Sequence, residues 1–212
     1  MALFDSAIGL LQDILTFFYN MTASLGIPNY GLAIILLTLA IKLILYPLTV
    51  KQVKGMKAMQ DLQPKMKAMQ EKYKGNPEKL NKEMALLYKE SGVNPLSGCL
   101  PLLVQMPILM GIFYAIRDYH YAQLPSFFWI ADLSQHDPLY ILPVLSAATT
   151  YIQQKQTSSD ANQQAKMMMN FMPLFIGYIS INFPGGLVLY WVMSNLFQII
   201  QQWWMYRGEA QK

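Results

Sequence analysis

Residues 30–50 form an apolar run about as long as a bilayer-spanning helix, with Thr38 and Lys42 set inside it. At 1.5 Å of rise per residue, ~20 residues cross a hydrocarbon core of roughly 30 Å. Further apolar runs lie at 96–116, 139–152, 167–181 and 187–206. With 54% hydrophobic and 13% charged residues, the 212-residue chain is too apolar for a soluble domain of its size, which makes the bilayer its expected solvent. Cys99 is the single cysteine, so neither an internal disulfide nor a thiolate metal cluster is expected.

The charge is gathered between the first two runs. Residues 51–94 hold ten lysines against five acids, +5 in a chain whose formal net charge is +4. Within this water-exposed segment Val53, Met56, Met59, Leu62, Met66, Met69 and Tyr73 recur every three or four residues, and Leu80, Met84, Leu87 and Tyr88 form a second stripe. The stripes predict two antiparallel helices joined at Gly75-Asn76-Pro77, where Gly75 suits a helix end, Asn76 caps the next helix and Pro77 opens it. Pro64 is expected to bend the first helix. The methionines offer an adaptable surface to transient partners, and the lysines around them favour anionic lipid or ribosomal RNA; the same methionines also zip the two helices together.

Ahead of the first run, Leu3, Phe4, Ala7, Ile8, Leu11, Ile14, Leu15 and Phe18 share a helical face opposite Asp5, Gln12, Asp13 and Thr16, as in a helix lying on a membrane surface. It lacks a positive n-region and a small-residue cleavage site, so it does not read as an intact signal peptide. Tyr119, Tyr121, Phe127, Phe128 and Trp129 suggest an aromatic belt at headgroup level, and Trp203, Trp204 and Tyr206 before Arg207 a second anchor. The expected organisation is an N-terminal amphipathic outer-surface helix (1–27), a first span (28–50), a basic cytoplasmic hairpin (51–94), four more spans (95–117, 138–154, 167–183, 185–206) and a short tail (207–212). The hairpin lysines, Lys155, Lys166, Arg207 and Lys212 then fall on one side, and Arg117, beside Asp118, on the other. That asymmetry puts the N-terminus outside and the C-terminus in the cytoplasm.

Lys42 is the sharpest single feature. Counted back from Lys51 along a straight helix it lies about 13 to 14 Å inside the boundary, where a lysine costs on the order of 2.5 to 3.5 kcal/mol. No acid lies in any of the five runs, which leaves water and neutral groups to satisfy it: Thr38, Gln105, Gln153, Gln154, Asn170, Asn182, Asn195 and Gln198. A water-filled cavity with a fixed positive charge on its wall is expected; the alternative is a lysine that snorkels to the interface. The third and fourth runs, about 21 to 23 Å of helix each, suggest a locally thinned membrane, unless Gln153 and Asn182 sit deeper than the run boundaries. His120 and His136 lack ligand partners at metal spacing, and no Ser-His-Asp, phosphate-loop or HExxH pattern occurs, so no metal, cofactor or enzymatic role is expected.

The longest motifs are LQPKMKAMQEKYK from Leu62, LYKESGVNPLSGCLPLLVQMPI from Leu87, DPLYILP from Asp137 and FPGGLVLYWVMSNLFQIIQQ from Phe183. On these the chain resembles the YidC/Oxa/Alb membrane protein insertases over residues 30–208. The resemblance implies an all-α membrane protein of the bacterial inner membrane: five transmembrane helices around a hydrophilic groove open to cytoplasm and lipid and closed to the outside. Lys42 occupies the place of the family's basic residue, usually arginine. Lysine keeps the charge and loses the planar five-donor fork, so a role needing only positive potential is the one that survives. Thr38, Met106, Tyr190 and Trp191 fall where the family lines its groove or the nascent helix's path, and Gln153 or Gln154 is expected to do likewise. The implied partners are nascent membrane proteins and lipids, then the ribosome, the Sec translocon and signal recognition machinery, with a monomer as the working unit. Of the basic tail that serves ribosome binding in the family, only Arg207 and Lys212 are present, and the absence of a large exported domain resembles the compact members. A small-molecule transporter, or its substrate-binding membrane subunit, is the rival; the lack of an internal repeat speaks against it.

Overall fold

The computed structural model describes residues 2–94, 100–123, 125–157 and 163–210. Among them are eight helices, α1 (Ala2–Ser24), α2 (Tyr30–Ile44), α3 (Tyr46–Lys72), α4 (Pro77–Ser91), α5 (Leu100–Arg117), α6 (Ile141–Thr157), α7 (Gln163–Ser180) and α8 (Gly185–Ala210), and no strand. Cys99, the expected start of the second run at residue 96, and Lys212 lie outside the described residues.

Local chemistry sets most boundaries. Asn29 caps α2 by accepting from the Leu32 amide at 3.0 Å, and Asn76 caps α4 by accepting from the Lys79 amide at 3.0 Å, with Pro77 in the first turn. Gly75 (φ +97°) and Gly92 (φ +64°) take left-handed backbone at the α3–α4 turn and the end of α4. The Tyr88 hydroxyl meets the Met66 sulfur at 3.8 Å, and Leu62 and Leu87 are buried, so the apolar stripes of the basic segment face each other.

One expectation needs correction. The run over residues 30–50 is not one straight helix: α2 stops at Ile44, and α3 leaves at 67° to it. Pro47 is the physical reason, because its ring has no N–H and would clash with the carbonyl four residues back, whereas the first turn of a new helix accepts it. Lys42 therefore sits in the last turn of α2, and a depth counted along a straight helix to Lys51 does not apply. By contrast α3 runs on through Pro64 without a break.

The interior is divided end to end. Ile34 and Leu37 of α2, Ile112 and Ile116 of α5, and Leu187 to Tyr190 of α8 form an apolar core with Leu15 of α1. This core fills the end at which α2, α6 and α8 all begin. It is closed by the loop between α5 and α6, whose Ile130 and Leu133 are buried. The Gln135 and Leu133 carbonyls accept from the amides of Gly185 and Gly186 at 2.6 and 2.8 Å, satisfying donors that the first turn of a helix leaves unpaired. The loop aromatics divide: Phe127 is buried, Tyr119, Tyr121 and Trp129 pack against the core, and Phe128 alone among them points away. Tyr30 stacks on Tyr19 at 3.9 Å and meets Tyr121 edge-on, fastening α1 and the loop to α2.

Asp137, 1% exposed, holds the other end of the loop. Its carboxylate accepts from the Trp129 indole at 3.0 Å and from the amides of Leu139 at 3.0 Å and Leu142 at 2.7 Å, which caps α6. Asp137→Ala is expected to lower stability by about 2 kcal/mol, the sum of a lost cap and a stranded indole donor, read as a lower unfolding midpoint in detergent. Asp137→Asn, which keeps one acceptor oxygen, should cost less.

Apolar side chains cover much of the outside. Met106, Met110, Val144, Leu174, Phe175 and Ile200 are all exposed. By length and composition no single helix among the described residues is long and apolar enough to cross a membrane; α2 and α3 reach that mark only together, as the bent pair.

Candidate functional site: a polar seam around Lys42

Beyond the apolar core, towards the end where α3 begins, the buried residues change character. Thr38 and Lys42 of α2, Thr49 and Gln52 of α3, Ser146, Thr149 and Thr150 of α6, and Ser194, Asn195, Gln198 and Gln202 of α8 are all buried. On α8 the spacing produces this, since Trp191, Asn195, Gln198 and Gln202 follow one another by four, three and four residues and so share a face. On α6, Ser146, Thr150 and Gln153 do the same.

Lys42 is 9% exposed, and its Nζ donates to Gln198 Oε1 at 3.1 Å. Among the described residues no carboxylate pairs with it; Arg117 and Asp118, by contrast, form an ion pair at 2.7 Å on the surface at the loop end. An ammonium has three donors, so one bond to a neutral amide leaves most of its demand to be met. Next along the seam, the Asn195 amide donates to Thr149 Oγ1 at 3.2 Å and Thr150 Oγ1 at 3.0 Å, and the Trp191 indole donates to Thr150 Oγ1 at 3.1 Å, joining α8 to α6. One turn past Gln198, Gln202 is 0% exposed, and neither its Oε1 nor its Nε2 has a protein partner among the described residues. The Gln52 Nε2 is in the same position. A buried amide left without a bond costs about 1 to 3 kcal/mol, and such groups are kept where water or a ligand reaches them.

The residues singled out from sequence separate into two groups. Lys42, Trp191 and Asn195 come together in the seam, with Gln153 and Gln154 half-buried on α6. Thr38 is buried beside them, but its hydroxyl donates to the Ile34 carbonyl at 2.7 Å, so it is not the partner of Lys42 that its position suggested. Gln105 likewise donates to the Tyr190 hydroxyl at 3.3 Å, tying α5 to α8, and Tyr190 is buried. Met106 lies outside the seam on the exposed face of α5. Asn170 and Asn182 are exposed. Thr149, Thr150, Ser194, Gln202 and Gln52 join the seam without a signal in hydropathy or charge; for those on α6 and α8, the helical spacing of small hydroxyls and amides is the signal that marks them. A cleft between α3 and α4, lined by Asp61, Lys65 and Glu90 among others, is separate and carries both signs of charge.

An apolar exterior, and inside it a polar seam whose buried lysine has no counter-charge among the described residues, is the inverse of a water-soluble bundle and fits the class of helical membrane proteins. The sequence model of the family described as 60Kd inner membrane protein matches residues 20–212, and the chain belongs to that family, which is the YidC/Oxa/Alb group its motifs resemble. Membership puts it among bacterial inner-membrane proteins. A membrane protein insertase YidC of Maridesulfovibrio salexigens is 44% identical over 189 residues, covering 85% of this chain and 35% of that protein. Another, of Francisella tularensis subsp. novicida, is 48% identical over 179 residues, covering 84% of this chain and 32% of that one. The chain thus spans about a third of the length of these curated relatives. A crystal structure described as an active YidC insertase with the first transmembrane domain resolved superposes with a TM-score of 0.74 at 32% identity, over 93% of this chain and 45% of that one.

Proposed function

We propose that this chain carries the inserting core of a membrane protein insertase, in which the polar seam is a hydrated groove that draws the hydrophilic, acidic segment of an incoming protein into the bilayer without nucleotide hydrolysis. The observation that carries the reading is Lys42: a buried cation bonded to one neutral amide, in a seam whose Gln52 and Gln202 call for further hydrogen-bond partners. The carboxylates of an acidic segment can accept from the Lys42 ammonium and from the Gln52 and Gln202 Nε2 groups, while Gln202 Oε1 calls for a donor, which groove water supplies. The names of the two relatives above agree, since both are membrane protein insertases and neither favours the small-molecule transporter.

In this reading the chain crosses the inner membrane five times, with α2, α5, α6, α7 and α8 as the spans and the α3–α4 hairpin in the cytoplasm. Averaged hydropathy understates these helices because it mixes an inner polar face with an outer apolar one, and only the outer face meets lipid. Lysine and arginine placement supports the orientation. Arg117, the one basic side chain proposed to face outside, is held by Asp118 through two hydrogen bonds of 2.7 and 3.1 Å and so contributes little net charge there. Arg207 lies over the Trp203 ring at 4.0 Å, a suitable interfacial anchor for the other end of α8. The apolar core and the loop over it close the groove on the outer side, so the substrate's polar segment enters from the cytoplasm while its apolar helix leaves sideways past Met106 of α5 and the exposed face of α7. Nascent membrane proteins and lipids are the partners the site itself calls for; the ribosome, the Sec translocon and signal recognition machinery come from the family resemblance, as does action as a monomer.

Photo-crosslinkers placed at Met106 and at Trp191 test this. Capture of ribosome-bound membrane-protein precursors from both positions is the expected result, with Trp191 reaching the polar segment and Met106 the apolar helix. Capture from neither rejects the reading.

A further inference from the structure

Phe128 combines two features that rarely meet in a bulky residue: its backbone is left-handed, at φ +47°, and its side chain is 85% exposed. It sits at the tip of a two-residue hairpin closed by paired hydrogen bonds of 2.8 and 2.9 Å between Phe127 and Ile130, a position that ordinarily selects glycine. Among the described residues the ring pairs of Phe128 are with its chain neighbours, at 4.5 Å from Phe127 and nearly parallel to Trp129 at 6.1 Å, and at 85% exposure it buries too little to repay that strain. Trp129 packs against the core with its indole N–H bonded to Asp137, so the ring presented outward is that of Phe128, which has no donor to satisfy. Residues 119–131 contain no Lys, Arg, Asp or Glu, and exposed Leu25, Ile27 and Tyr140 surround the same end, where Asn29 Nδ2 donates to the Ser126 carbonyl at 3.3 Å.

We propose that Phe128, at the tip of this turn, is an interfacial anchor that inserts between the lipid headgroups and upper acyl chains of the outer leaflet and fixes the depth of the loop that closes the bundle. An uncharged, apolar, donor-free tip matches a lipid interface and not an aqueous or charged protein partner. The inference rests on the membrane orientation proposed above.

The test uses the full chain with Cys99→Ser and a nitroxide on Ser126→Cys, in vesicles of dioleoylphosphatidylcholine, comparing collisions with oxygen and with a water-soluble nickel chelate. Oxygen should dominate with Phe128 or Phe128→Trp, and Phe128→Gly should reverse the order. Because glycine relieves the backbone strain, Phe128→Gly should leave the unfolding midpoint unchanged or raise it; a lowered midpoint would make Phe128 a packing residue and overturn the proposal. The same label on Leu174→Cys of α7 separates the two readings. Oxygen-rich Leu174 with nickel-accessible Ser126 whatever stands at 128 overturns the anchor alone, whereas nickel access at both positions overturns the membrane orientation and the anchor with it.

Discussion

Lys42→Ala is expected to reduce insertion of a single-span protein with an acidic N-terminal tail at least tenfold, while Lys42→Arg keeps most of it. Two unit charges about 4 Å apart at an effective dielectric near 20 attract by ~4 kcal/mol, and about 1.4 kcal/mol of that is enough for a tenfold change. The measurement is protease protection of the translocated tail in proteoliposomes. The same tail with its carboxylates neutralised is the comparison: it should depend on Lys42 far less, because what is lost is attraction and not architecture. Stability should move the other way. Lys42 is desolvated and bonded to a single amide, so removing its charge is expected to leave the unfolding midpoint unchanged or raised, unlike the usual loss of a buried polar partner. Lower activity with undiminished stability is the pattern that distinguishes a functional cation from a structural one. If Lys42→Ala inserts normally while Lys42→Arg fails, the attraction has no part in the process.

Much of this arrangement was legible from residue order, and the exceptions have physical causes. The hairpin turn could be read because Gly75, Asn76 and Pro77 act locally, through backbone conformation and one capping bond. Lys42 could be read because a charge in an apolar run has a large cost whatever surrounds it. The break at Leu45 was in view as Pro47, but apolar length masked it: hydropathy does not distinguish a proline that ends one helix and opens the next from one lying inside a span. Hydroxyl groups were the least legible. Thr38 and Thr150 are alike in sequence terms, yet Thr38 turns to its own helix while Thr150 accepts from both Trp191 and Asn195. Serine and threonine can satisfy themselves on the preceding turn, so only the facing helix decides which of them is available.

Gly31→Ala is the substitution expected to damage the fold most for its size. By helix propensity alone, glycine to alanine in the first turns of α2 should gain up to about 1 kcal/mol. The ring of Phe127, however, lies where the new methyl group would go, closer than any real contact allows. Phe127 cannot step aside cheaply, because it is buried and its backbone is pinned to Ile130 in both directions. Either the ring is forced out of the core, forfeiting roughly 2 kcal/mol of burial, or α2 and the loop separate at an overpacking cost of about 1 to 3 kcal/mol. The net expectation is a loss of about 2 kcal/mol, seen as a lower unfolding midpoint in detergent. Two comparisons identify the cause. Gly9→Ala in α1, where no atom lies within 4 Å of the added carbon, should be neutral or mildly stabilising. In Phe127→Ala the collision is gone, so adding Gly31→Ala to that background should cost little or nothing, a strongly non-additive pair. Additive losses would mean that Gly31 serves some purpose other than letting the loop aromatic reach the helix. The close approach matters beyond stability because Phe127 holds down the tight turn that carries Phe128, within the loop closing the apolar end of the bundle, so lifting Phe127 would open the end opposite Lys42.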